Sequence, residues 1–122
     1  MADIPVLPPP LDDRGRRTVL CALDDIAEPG GRAVRIKGRK EMFVVRWQGG
    51  VYAYVNSCPQ TGVALDWQPD QFFTRDRDLL QCSMHHARFR VADGHCVAGP
   101  CAGKGLTAVR VRVEDGRVML DE

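Results

Sequence analysis

The stretch from Glu41 to Asn56, EMFVVRWQGGVYAYVN, constrains the fold more than any other part of the chain. Branched and aromatic residues run to Trp47, Gln48-Gly49-Gly50 supplies a turn, and a second such run starts at Val51. Two runs of this kind joined through a Gly-Gly turn predict a β-hairpin. The C-terminal LTAVRVRVEDGRVML repeats the theme. There Val109, Val111 and Val113 alternate with Arg110 and Arg112, which predicts one buried and one wet face. Asp115-Gly116 then turns the chain back through Val118 and Leu120.

Short strands fill the rest. QFF at 71–73, DLLQC at 78–82, ARFRV at 87–91 and HCV at 95–97 are separated by polar turns, with Asp93-Gly94 the clearest. TVLCAL and RAVRI are further strands upstream. Only LDDIAEP reads as a helical turn, stopped by Pro29 and the two glycines after it. Many short strands with regular turns predict an all-β fold, a small antiparallel β-sandwich or barrel.

The chain has 122 residues, enough for one compact domain. Residues 1–16, with Pro5, Pro8, Pro9 and Pro10, read as a flexible Pro-rich tail, leaving 17–122 as the domain. A net charge of +1 argues against nucleic-acid or membrane-surface partners. The segment from Arg14 to Lys40 is locally basic and reads as a solvated face, with a docking patch as the alternative. No apolar run reaches membrane-spanning length and no signal peptide is evident, so the expected location is cytoplasmic. Nothing fixes the oligomeric state.

Five cysteines in such a chain point to metal or redox chemistry more than to a disulfide scaffold. Cys58, Cys82, Cys96 and Cys101 lie in the second half, together with His85, His86 and His95. Two loops result, each leaving a strand. One reads C-x-Q from Cys58 to Gln60, and the other reads C-x-x-H from Cys82 to His85. Cys21 reads as core and His95 as a solvent-facing turn residue. Cys96 and Cys101 read as small packing residues, with a disulfide across the loop between them as the alternative. Trp67 and Phe72-Phe73 are expected to wall the site or fill the sandwich, and Arg88 and Arg90 to be solvated.

CPQTGVALDW and CSMHHARFRVADGHCVAGP resemble the two cluster loops of Rieske-type [2Fe–2S] domains, whose pattern is C-x-H, a spacer, then C-x-x-H. Ala98-Gly99-Pro100 falls where that family carries a third, proline-bearing loop. The resemblance extends from about Thr18 to Leu120, and it implies a cluster-binding subdomain at about 57–101. By that resemblance Cys58 and Cys82 bind one iron and His85 the other, with Gln60 in the place of the second histidine.

The substitution leaves the formal charge of the oxidised centre at zero, because glutamine and imidazole are both neutral. It weakens the donor, since a carboxamide oxygen is harder than an imidazole nitrogen and has no second ring nitrogen. Three outcomes stay open at this position. Gln60 or a water completes the site; the adjacent His86 takes the place; or no cluster binds and Gln60 only fills space. The loops lack the extra cysteine pair of high-potential respiratory relatives. The chain is therefore more similar to Rieske-type ferredoxins that feed oxygenases.

The resemblance implies an electron carrier with a [2Fe–2S] cofactor, acting between a reductase and an oxygenase-like partner and not as a stand-alone enzyme. A cluster-free structural or regulatory subunit, similar to the small subunit of some nitrite reductases, is the alternative. A mononuclear zinc site built from Cys58, Cys82, His85 and either His86 or Cys96 is a third reading.

Overall fold

The computed structural model describes residues 6–7, 19–36, 38–59, 64–66, 70–82, 87–99 and 104–121. Among them are ten strands: β1 (Val6–Leu7), β2 (Val19–Ala22), β3 (Gly30–Ile36), β4 (Met42–Trp47), β5 (Gly50–Val55), β6 (Leu79–Gln81), β7 (Arg88–Arg90), β8 (Cys96–Ala98), β9 (Val111–Glu114) and β10 (Arg117–Leu120). One 3-10 turn, Leu23–Asp25, stands where a helical turn is expected. The strands form three sheets, ordered β1-β3-β4-β5, β2-β10-β9 and β6-β7-β8. All pairings are antiparallel except the two-residue contact of β1 with Arg35 and Ile36 of β3. The fold is all-β, as the turn cadence predicts.

The four-stranded sheet is the middle layer. Along β4, Phe43 and Val45 belong to one apolar cluster, while Met42 and Val44 belong to another. Tyr54 and Ala33 join the first cluster, Ala53 and Val34 the second. Successive side chains of a strand point to opposite faces, so this sheet has a core on each side. That explains why MFVV of β4 is an unbroken apolar run: with both faces covered, no position is left for a polar residue. One core contains Leu80, Phe89 and Cys96 of the β6-β7-β8 sheet. The other contains Leu20, Val118 and Leu120 of the β2-β10-β9 sheet.

Both long hairpins form, with two adjustments. Trp47 pairs with Gly50, so the β4–β5 turn is Gln48-Gly49 alone, and Gly50 already belongs to β5. Both turn residues have positive φ, 48° and 79°, the backbone of a two-residue turn that follows strand twist. Glu28 braces that turn, its Oε2 accepting the Gly49 N–H at 2.6 Å. Arg46 in turn donates to Glu28 and to the Leu23 and Ile26 carbonyls.

The second adjustment concerns β9. Val109 is buried and Val111 half-buried, but Val113 is 44% exposed. β9 is the outer strand of its sheet. Val111 still packs on the core, and Val113 lies past its edge. Among the described residues, no helix is long and apolar enough to cross a membrane.

Candidate metal centre

Two cysteine thiols sit at the feet of two loops. Cys82 directly follows β6, and its N–H donates to the Ala87 carbonyl at 2.9 Å. The next pair inward, Gln81 with Arg88, continues the β6–β7 ladder. Cys82 and Ala87 are thus the last rung before segment 83–86. Cys58 follows β5, after a Ser57 N–H bond to the Val55 carbonyl at 2.9 Å. Cys58 is 1% exposed and Cys82 0%. Both belong to the same apolar cluster, and neither is disulfide-bonded.

Around them the cluster is aromatic. Phe72 stacks on Phe43 with ring centroids 4.3 Å apart, and Tyr54 lies tilted against Phe43 at 5.8 Å. The Tyr54 hydroxyl donates to the Val91 carbonyl at 2.5 Å. Burial pushes this phenol up to about 12, with the nearby Asp93 and Tyr52 adding to the effect. Phe72 is fully buried and Phe73 half-buried against the same cluster, the place expected of residues that fill the sandwich.

The β7–β8 turn packs on this core through Gly94, which approaches Tyr54 and Leu106. Arg90 holds Asp93 through paired hydrogen bonds, and the His95 N–H donates to the same carboxylate. The Arg90 bonds, and then the His95 N–H, bring the Asp93 carboxyl down to about 2. His95 is exposed, as a turn histidine should be. Gly94 has φ +73°, and a Cβ there would lie 2.7 Å from the Tyr54 ring. Only glycine meets both demands. Cys21 is buried in the opposite core. Arg88 and Arg90 are exposed.

Cys96 is buried in the apolar cluster, as expected, and is also disulfide-bonded, the alternative kept open for it. Its Sγ lies 3.3 Å from the Ala98 carbonyl, a contact without a hydrogen bond because a disulfide sulfur carries no proton. A sulfur so committed is no thiolate, which removes Cys96 from any zinc site. Gln60, His85, His86, Trp67 and Cys101 lie outside the described residues. Among the described residues no three His, Cys, Asp or Glu side chains form a metal-binding group by themselves.

A further group of residues carries no signal in the two-loop motif. Asn56, 6% exposed, is the buried polar residue among the described ones. Its Nδ2 donates to Glu41 Oε2 at 2.6 Å and to Asp66 Oδ1 at 2.9 Å, and its Oδ1 accepts the Leu65 N–H at 2.8 Å. Asp66 Oδ2 accepts the Asp70 N–H, and Asp70 Oδ1 accepts the Ala33 N–H of β3. The available signal was an Asn entering and an Asp leaving the first loop, residue types that bond neighbouring backbone.

The described residues form a three-layer β fold in which two buried thiols, each shortly after a strand, share one apolar core. The chain belongs to the Rieske [2Fe-2S] domain family, whose profile matches residues 16–114. It is 28% identical over 102 residues to the ferredoxin component of a p-cumate 2,3-dioxygenase system from Pseudomonas putida, covering 84% of this chain and 82% of that protein. The ferredoxin of carbazole 1,9a-dioxygenase from Nocardioides aromaticivorans IC177 superposes with a TM-score of 0.70 at 27% identity, over 85% of this chain and 95% of that one. A chain in a complex of reduced oxygenase and oxidized ferredoxin of carbazole 1,9a-dioxygenase gives a TM-score of 0.71 at 25% identity, over 85% and 91%.

The donors present fit the thiolate half of such a centre. Both are cysteines, both are screened from water, and both lie in one core. Ferric sulfide chemistry asks for this pairing of soft anionic donors.

Proposed function

We propose that this protein is a Rieske-type [2Fe–2S] electron carrier, taking single electrons from a reductase and passing them to an oxygenase-like partner. The observation that carries the reading is the pair of fully buried thiols, Cys58 and Cys82, sharing one core. The Rieske profile and the ferredoxins of two dioxygenase systems support it. Cys58 and Cys82 would hold the inner iron, and His85 with Gln60 the outer one, His86 being the alternative to Gln60. When bound, the cluster supplies a one-electron couple. The chain's own work is to exclude water from the two thiols and to hold their loops at a fixed separation.

The reading places the protein in the cytoplasm, where thiols persist. The free thiols of Cys21, Cys58 and Cys82 fit that location, and the disulfide at Cys96 weighs against it. Residues 17–122 are assigned to the domain, with 57–101 as the cluster-binding part. The Pro-rich residues 1–16, expected to form a tail, instead lend β1 to the edge of the four-stranded sheet.

Gln60 favours a second reading, a cluster-free Rieske-fold subunit. Both buried cysteines weigh against it, because each shortly follows a strand at the position where the Rieske pattern puts a thiolate ligand. Iron and sulfide content, visible absorption and electron paramagnetic resonance of protein purified without oxygen decide between them. One cluster per chain is expected. Absence of iron and sulfide even after reconstitution would overturn the carrier role.

A further inference from the structure

We infer that Asn56 is a positioning residue for Cys58: its side chain buckles the first loop shut by joining the loop's entry to its exit and to β4. The inference rests on the carrier reading for its functional meaning. Its geometry stands independently of that reading.

Asn56 leaves β5 two residues before Cys58, and Leu65 lies on the far side of the loop. The Asn56 Oδ1 to Leu65 N–H bond of 2.8 Å spans the gap between them. Glu41, immediately before β4, receives one Nδ2 proton, and its backbone carbonyl accepts the Asn56 N–H at 2.9 Å. Asp66 receives the other Nδ2 proton. Among the described residues the carboxamide uses both N–H donors and accepts one bond at its oxygen, which also fixes its orientation: oxygen toward the Leu65 N–H, nitrogen between two carboxylates.

Glu41 is anchored by Arg35 at 3.0 Å, and Asp66 by the Asp70 N–H at 3.1 Å. The buckle therefore has its own supports, running back to β3 through the Ala33 N–H. Leu65 and Cys58 belong to the same apolar cluster, so the end of the loop held by Asn56 packs in the core that holds the thiol. No other residue type serves equally. Aspartate keeps the acceptor but sets a third carboxylate against Glu41 and Asp66, and leucine keeps the volume but strands the buried Leu65 N–H and two half-buried carboxylates.

The test uses the full chain. Asn56→Ala and Asn56→Asp are compared with wild type for the rate of chelator-driven iron loss, the reduction potential and the hydrogen exchange of the Leu65 amide. Loss of an outer-shell support should speed iron release about 10- to 100-fold. It should also shift the potential and remove protection at Leu65. The double variant N56D/D66N restores a carboxylate-to-amide bond in reversed polarity, so it should recover part of the lost retention and potential. A merely structural defect would not be rescued in this way.

Wild-type iron release and potential in Asn56→Ala, with Leu65 still protected, would overturn the inference. So would failure of the double variant to improve on N56D. If wild type itself carries no iron, the carrier reading fails. Leu65 exchange in the variants then judges the buckle alone, and an unchanged amide would reject it.

Discussion

At the residue scale the proposed centre raises its sharpest question at Gln60, which the C-x-Q spacing singles out in the sequence. Gln60→His should raise cluster retention, read as slower loss of visible absorption, and steepen the pH dependence of the reduction potential through a second imidazole. An unchanged slope would mean position 60 does not face the metal. Tyr54 poses a different question, one the sequence did not raise. Its hydroxyl is bonded to the Val91 carbonyl, and its pKa stands near 12 against an ordinary 10.0. Folding therefore favours the neutral phenol. That contribution is complete below pH 10 and fades as pH rises through about 12. Tyr54→Phe should cost about 1–3 kcal/mol at neutral pH by stranding a buried carbonyl. It should also flatten the alkaline limb of the stability profile, as measured by denaturant unfolding at several pH values. Asn56 was readable only as the end of a strand. Its role depends on Asp66 and Glu41, ten and fifteen positions away, and no local pattern encodes such a meeting.

At the scale of elements, the hairpins were legible because their turns carry glycine beside alternating or continuous apolar runs. The details depended on partners. Gln48-Gly49-Gly50 offers two registers, and the observed one places Gly49 where Glu28 can receive its N–H. Glu28→Ala should cost about 1 kcal/mol in denaturant unfolding. Iron content should be unaffected, because the brace lies away from Cys58 and Cys82. A loss of iron in this variant would mean the two ends of the sheet communicate. Alternation misled at Val113, where the sequence period continues but the layer beneath does not. For Cys96 the sequence left packing and a disulfide both open, because a buried strand cysteine looks alike whether thiol or disulfide.

For the whole molecule, all-β architecture followed from turn cadence, yet the number of layers did not. MFVV in β4 could belong to any buried strand; that it faces a core on each side is a property of the assembled sheets. Val44 faces the core opposite the one that holds Cys58 and Cys82. Val44→Ala should cost about 2 kcal/mol through lost burial and the space left behind. Its consequence reaches further than its contacts. Because the strand is a party wall, neither storey can be weakened in private, and bleaching on heating should track the melting of the backbone degree for degree. Colour lost well before the melt in the Val44→Ala protein would mean the two storeys stand on separate foundations.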